Sequence, residues 1–335
     1  MRAYSVVRPV LLAALLGGAG AARAQSAPGG DLASIWTIQV ENDAASTLKG
    51  TSDQYYTSGL RVGWTSGADA VDFGAALGHG IWGDGSTRVS LELTQALFTP
   101  RLTQLDPPAP GDRPYAGELL LTGGLVHDGQ DTRDVLAVSL GVVGPAALGE
   151  EVQNGFHNII GDTPNRGWHY QVQDQVAFNA LLQRTWRLPV VDIGGLEVDA
   201  LPSITAAVGD VRDYVQAGGI VRLGQGLGSD FGPARIEPGL NGSDAFTATA
   251  PVVWYGFAGV DGQVVGYDVS LDGNAFRTHG PSVDRRWDVG EFEAGLAAIV
   301  YGVRISYTQT WQTQEFHGAK AGLFNFGSLA ASVKF

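Results

Sequence analysis

The sequence predicts an all-β protein: a transmembrane antiparallel β-barrel of about 12 strands with a short helix in an extracellular loop. Three observations predict it. The 335-residue chain has 48 glycines and no cysteine, so no disulfide framework stabilises it. Its mean hydropathy is +0.03 although its formal net charge is −13, as expected where an apolar outer face surrounds a polar lumen. Many segments also alternate apolar and polar side chains with the period of a strand.

Residues 1–24 have the pattern of an export signal. A basic start with Arg2 and Arg8 precedes an apolar run over residues 10–20 and a small-x-small cleavage site that ends at Ala24. We therefore expect a signal peptide over 1–24 and one barrel domain over 25–335. The acidic balance argues against nucleic acid, which requires basic patches, and permits a divalent cation.

The first predicted strands show the alternation most simply. Over residues 34–43, Trp36, Ile38 and Val40 oppose Thr37, Gln39 and Glu41, and residues 55–65 repeat the pattern. Two connections between later strands are less regular. Residues 67–86 suggest a long turn, in which 71–77 is one more possible strand, and residues 224–249 have no useful periodicity. Further strands are predicted at about 87–98, 114–126, 134–144, 168–187, 194–208, 212–223, 250–270, 286–300, 302–313 and 323–335.

The end of the chain and its aromatic residues favour a barrel over a soluble sandwich. The last predicted strand alternates Leu329, Ala331, Val333 and Phe335 with small or polar residues. Such a strand with a terminal phenylalanine resembles the assembly signal of outer-membrane barrels. Seven of the eight tryptophans, all but Trp82, lie in or beside predicted strands, as aromatic girdles require.

The stretch 144–168 predicts a helix inside a loop. Pro145 suits the first helical position, and Gly161 suits the end of the helix. An apolar stripe formed by Val152, Phe156, Ile159 and Ile160 lies beside a polar stripe formed by Glu150, Gln153 and His157. We expect the apolar stripe to pack downward and His157 to lie at the edge of a cleft.

Strand parity gathers distant residues at one rim. With both termini in the periplasm, the loops after the first, third and fifth strands are extracellular, namely 44–54, 99–113 and 145–167. They carry the ends of the first two strands, the Arg113-Pro114-Tyr115 segment and the predicted helix.

Several motifs resemble the outer-membrane lipid A 3′-O-deacylase family. They begin with Val40-Glu41-Asn42-Asp43 and Asp53-Gln54-Tyr55-Tyr56-Thr57-Ser58-Gly59. They continue with Arg113-Pro114-Tyr115-Ala116-Gly117, Gly144-Pro145, Glu151-Val152-Gln153-Asn154 with His157, and Gly167-Trp168 with Gln171. The order of the motifs along the chain, from the first strand to the sixth, makes the resemblance specific.

The resemblance implies a twelve-stranded barrel with its active site between the wall and a loop helix. It implies calcium-dependent hydrolysis of the 3′-linked acyl ester of lipid A in the outer leaflet, in which a histidine activates water. His157 matches the base, and Asn42, Asp43 and Thr57 match other functional positions. The family's lysine in the second extracellular loop has no counterpart here, since residues 99–112 contain only Arg101 as a basic residue.

The residues themselves support this chemistry. Neutral imidazole is the usual base for ester hydrolysis near neutral pH. Asp43 is the best-placed carboxylate for calcium, with Glu41 as a second ligand, since calcium takes oxygen ligands. Gln153 is either an ordinary polar residue of the helix face or a residue that orients His157. The chain contains no G-x-S-x-G nucleophile elbow, which favours attack by water over an acyl-enzyme.

Simpler interpretations stay open for each residue and for the function. Asn42 and Asp43 are alternatively turn residues at a strand end, and Thr57 an ordinary lumen hydroxyl. Arg113, grouped with Tyr115 as substrate-binding, is either an anchor for lipid phosphates or a surface charge. The alternative function is a non-enzymatic pore or binding barrel, and a third is an outer-membrane phospholipase. We expect a monomer in the outer membrane of a Gram-negative bacterium, with its active site outside.

Overall fold

The computed structural model describes residues 31–43, 54–189, 191–236, 243–277 and 279–335. The predicted signal peptide lies outside the described residues and stays a prediction. Among the described residues, no helix is long and apolar enough to cross a membrane. The strands are β1 Ile35–Asn42, β2 Tyr55–Thr65, β3 Ser86–Thr99, β4 Ala116–Asp128, β5 Thr132–Val143, β6 Gln175–Trp186, β7 Val191–Ile193, β8 Leu196–Gly209, β9 Arg212–Gln225, β10 Val252–Asp268, β11 Asp288–Val300, β12 Val303–Gln312 and β13 Phe324–Lys334.

The strands form one closed antiparallel sheet. β1 pairs with β13 over its full length, from Ile35 opposite Lys334 to Asn42 opposite Gly327. β6 pairs with β8 at the other junction, while the three-residue β7 only extends the edge of β8. The wall that the described residues form therefore has twelve strands, which confirms the predicted barrel.

The wall shows the expected two faces. Along β1, Trp36, Ile38 and Val40 are exposed on the outside, whereas Thr37, Gln39 and Glu41 are buried toward the lumen. The same alternation runs along β10, where exposed and buried residues follow each other for most of its length. An apolar outer face and a polar interior are the pattern of a barrel that has lipid around it.

In the part of the chain that the structure describes, three helices lie outside the strands: α1 Asp72–Trp82, α2 Gly149–Ile160 and the short α3 Val269–Asp272. The suggestion of a strand at 71–77 is therefore wrong, because this segment begins α1. Pro145 starts a separate 3₁₀ turn, Pro145–Ala147, rather than α2. The sixth strand starts at Gln175 and not at 168, because Trp168–Tyr170 forms another 3₁₀ turn.

The connection between β9 and β10 folds back into the lumen. Asp230 in this connection is fully enclosed and pairs with Arg222 at 2.6 Å and Arg304 at 3.3 Å. Burial opposes ionisation of Asp230, but the two guanidinium groups outweigh it and hold its pKa below the ordinary value. Further along, Arg235 pairs with Glu293 at 3.0 Å. We call the described parts of this connection, 226–236 and 243–251, the lumen segment.

The two rims of the barrel differ. The rim where β1 begins and β13 ends carries α1 and the base of the lumen segment. The opposite rim carries the connections after β3 and β5, including α2, together with the described parts of the connections after β10 and β12. Long connections at the rim opposite the termini are typical of the extracellular side of such barrels.

Candidate functional site

The helix α2 lies against the outer face of the wall. On β3, Leu91 and Leu93 are exposed to the outside, and Gln95 and Leu97 share that face by strand parity. The side-chain amide of Gln95 donates to the carbonyl of Ala147, just before α2, at 2.6 Å. A Cβ on Gly149 would lie 3.1 Å from Leu97. The helix therefore packs on the lipid side of the strands rather than over the lumen.

The polarity of α2 is opposite to the expectation. Gln153 and His157 are the residues that face the wall and are buried. Val152, Phe156, Ile159 and Ile160 are exposed, Ile159 by 82%. The apolar stripe thus faces away from the barrel, as expected for a helix surrounded by lipid. Gln153 and His157 of the polar stripe face the wall, whereas Glu150 is exposed. Gly161 ends the helix with φ of 76°, as predicted.

The ring of His157 has a defined orientation. Its Nδ1 lies 3.0 Å from the carbonyl oxygen of Thr163. Since a carbonyl only accepts, Nδ1 carries the proton, and Nε2 of the neutral ring is the nitrogen with the lone pair. A backbone-oriented imidazole of this kind is the arrangement expected of a general base.

Two asparagines hold the loop that orients His157. Asn154 on α2 donates to the carbonyl of Asn165 at 3.1 Å and accepts from the backbone N–H of Asn165 at 2.8 Å. This reciprocal pair fixes the return of the chain after α2 and thereby the position of Thr163. Sequence analysis gave neither residue a role, although Asn154 belongs to the motif Glu151-Val152-Gln153-Asn154 that precedes His157.

Trp168 forms the floor beneath α2. Its indole N–H donates to Gln153 Oε1 at 2.8 Å, and its ring lies 4.8 Å from that of Tyr115. Tyr115 is fully buried and donates its hydroxyl to the carbonyl of Thr103 at 3.0 Å. Gln153 thus holds Trp168 beneath the helix, and Tyr115 packs behind Trp168.

The ends of β1 and β2 supply the other predicted residues. β1 ends at Asn42, and Asp43 lies just beyond the strand, fully buried, where its Oδ2 accepts from the backbone N–H of Gln54 at 2.9 Å. Thr57 occupies a bulge of β2 and bonds Thr99 through their hydroxyls at 2.7 Å. The end of the strand and the bulge explain how neighbouring residues escape strict alternation.

Glu41 and Arg113 lie inside the barrel. Glu41 accepts hydrogen bonds from Gln39 at 3.0 Å, Tyr56 at 2.9 Å and the backbone of Ile236 at 2.9 Å. Arg113 is fully buried and forms an ion pair with Glu315. A direct contact of Arg113 with a lipid phosphate would require that pair to open.

The oxygens at this strand end suit calcium in kind. Asp43, Asn42 and Thr57 offer a carboxylate, an amide and a hydroxyl oxygen, and calcium prefers such hard oxygen donors. Glu41, the other predicted ligand, faces the lumen, where it accepts hydrogen bonds from Gln39, Tyr56 and Ile236. Within the described residues, no group of three or more His, Cys, Asp or Glu side chains could hold a metal ion. Asp43 is the charged donor among the oxygens at the strand end.

Comparisons with known proteins agree with this architecture. The family model described as "Outer membrane protein LpxR" matches residues 10–335. The solved structure of LpxR from Salmonella typhimurium superposes with a TM-score of 0.74 at 24% identity, covering 90% of this chain and 100% of that one. The β domain of the Bordetella autotransporter BrkA gives a TM-score of 0.43 at 12% identity, over 91% of this chain and 100% of that one. A search of curated protein sequences gives no significant match.

Proposed function

Because the chain belongs to the outer membrane protein LpxR family, we propose that it is a lipid A 3′-O-deacylase that acts in the outer leaflet with calcium. The observation that carries the proposal is the oriented His157 on the lipid side of the wall. A base on the lipid side of the wall can reach an ester that is already in the membrane, whereas a residue in the lumen of a pore could not.

The proposed reaction is hydrolysis by an activated water. Nε2 of His157 takes a proton from water while the water oxygen attacks the ester carbonyl carbon. The bond between that carbon and the sugar oxygen then breaks, and the sugar oxygen receives the proton. The products are a free fatty acid and a sugar hydroxyl.

Calcium, when bound, would polarise the ester carbonyl as a Lewis acid. Asp43 would hold it, with oxygens of Asn42 and Thr57 as further candidates. The hydrogen bond from Gln54 fixes one carboxylate oxygen of Asp43, which restricts how the side chain can turn toward an ion.

The exposed stripe of α2 fits a membrane substrate. Phe156 and Ile159 add exposed apolar surface on the same helix as His157. An acyl chain can therefore lie along the helix while its ester reaches His157. This placement favours a lipid with several acyl chains over a soluble ester.

The direct test is mass spectrometry of lipid A from a host that expresses the chain. Wild type should remove the mass of the 3′-linked acyl group. His157→Ala should reduce turnover by about 10²–10⁴-fold, the contribution of a general base, while the barrel still folds in detergent.

A His157→Gln variant is the matched control, because glutamine keeps a polar side chain in the buried stripe without acting as a base. Near-wild-type deacylation by both variants would remove His157 from the mechanism. Unchanged lipid A together with cleaved glycerophospholipid would favour the phospholipase alternative.

A further inference from the structure

The helix α1 packs on the outer face of the barrel, at the rim opposite α2. A Cβ on Gly74 would lie 2.4 Å from Val89 Cγ2, and one on Gly78 would lie 1.9 Å from Thr87 Oγ1. By strand parity, Thr87 and Val89 share the face of β3 that exposes Leu91 and Leu93. The helix is therefore outside the lumen and directly on the wall.

The two glycines allow an unusually close approach. They lie four residues apart, so they occupy one face of α1, and neither has side-chain atoms to separate the helix from the strands. Trp82 closes the packing at the end of the helix, where its ring stacks on that of His127 at 5.4 Å. The orientation of α1 about its own axis is thus fixed by contacts with β3 and β4.

This orientation leaves an apolar stripe of α1 exposed on the surface that the described residues form. Phe73, Leu77 and Ile81 follow each other at four-residue spacing and are 62%, 48% and 52% exposed. The opposite side of the helix carries Asp72, Ala76 and His79. An amphipathic helix with an apolar side beside a lipid-facing wall has the geometry of an interfacial helix.

We propose that α1 is a membrane anchor that inserts Phe73, Leu77 and Ile81 among the acyl chains of phospholipids, in the leaflet at the rim where β1 begins and β13 ends. The stripe lies beside the apolar outer face that includes Leu91 and Leu93. The two surfaces are therefore continuous, and the lipid that contacts the wall can also contact the stripe. Asp72 and His79 then face the water. Trp82, at the end of the helix, suits the polar boundary where tryptophans concentrate.

Because the chain contains no cysteine, single cysteines can be introduced as labelling sites to test the anchor. Leu77→Cys is labelled with an environment-sensitive fluorophore and placed, one barrel per particle, in phospholipid nanodiscs, which expose both membrane faces. Ala76→Cys is the matched control, because it is the adjacent exposed residue on the polar side of the same helix. Leu93→Cys provides the standard for a lipid-facing position on the wall.

Phospholipid brominated in its acyl chains should quench the label at position 77 at least half as strongly as the label at 93. Aqueous iodide should quench it several-fold less than the label at 76. The reverse pattern would overturn the proposal: a label at 77 as open to iodide as that at 76, with no effect of brominated lipid, would mean that the stripe faces water. In that case the stripe would instead be a contact surface for a second copy of this chain or for a soluble protein.

A circular-dichroism spectrum dominated by β structure and a heat-dependent shift on gels would establish that each labelled barrel is folded. The readout does not use enzymatic activity, so failure of the anchor and failure of the proposed deacylase are separate results.

Discussion

At the scale of single residues, the imidazole of His157 depends on a carbonyl that sequence reasoning did not identify. The helix motif predicts the histidine, but its partner Thr163 follows the helix in a loop whose path is set by Asn154 and Asn165. Such a contact depends on a turn that has no periodicity. The base could thus be predicted from the sequence, and its orientation could not.

Asn154→Ala is expected to lower kcat by up to about 10²-fold, because a loosened Thr163 lets the imidazole leave its productive orientation. The measurement is single-turnover deacylation in mixed micelles as a function of pH.

Asn154→Asp keeps an acceptor for the backbone N–H of Asn165 and should recover part of the rate. Loss of folding would lower both variants equally, so a rate for Asn154→Asp no better than for Asn154→Ala would contradict a positioning role.

Asp43→Asn is expected to raise the calcium concentration that gives half-maximal activity, because a hard cation loses its charged oxygen ligand. The amide oxygen can still accept from Gln54, so the rim hydrogen bond should survive.

The measurement is a calcium titration after treatment with EDTA. Glu41→Gln serves as the comparison, since Glu41 faces the lumen and should leave the calcium requirement unchanged. Full activity of the wild type in excess EDTA would end the calcium proposal.

At the scale of elements, the strands were predictable and the helices only in part. Alternation identified all twelve wall strands because lipid outside and polar lumen inside impose the period on every strand. α1 was missed, since Gly74 and Gly78 weaken its helix signal and packing on β3 stabilises it instead. α2 was found, but its faces were assigned as for a helix in water, which lipid reverses.

Phe156→Asp tests that reversed face. A basic residue on the lipid face of a barrel costs about 2–4 kcal/mol at the membrane midplane and about 0–1 kcal/mol near the interfaces, and a carboxylate is unfavourable there by a smaller amount. Deacylation of lipid A in bilayers should therefore fall more than deacylation of lipid A dispersed in detergent.

Asn158→Asp adds the same charge at an exposed position on another side of α2 and should leave the ratio of the two rates unchanged. An equal loss for Phe156→Asp in bilayer and detergent would indicate a general defect of the helix instead.

At the scale of the whole molecule, the barrel is filled rather than open. The lumen segment enters the barrel from the rim that carries α1, and the ion pairs of Asp230 and Arg235 hold it there. Toward the other rim, Tyr56, Phe98 and Phe326 pack together, with 5.0 Å between the rings of Tyr56 and Phe326. From the sequence, the lumen segment showed only that it lacks periodicity. Ion pairs with residues on several different strands hold it in place, and no local sequence pattern predicts such pairs.

A filled lumen predicts that the protein forms no stable channel in a planar bilayer. Asp230→Ala removes the carboxylate that forms ion pairs with both Arg222 and Arg304 and is expected to add brief conductance steps as the lumen segment loosens. Steady ohmic steps from the wild type would support the pore alternative.

The position of α2 on the outside of the wall also determines how the protein would meet its substrate. A lipid that reaches His157 from the side never crosses water, so encounter is a search in two dimensions. The rate should then follow the mole fraction of lipid A in the membrane and fall when inert lipid is added at constant bulk concentration. Membrane viscosity, rather than solvent viscosity, would limit the fastest turnover.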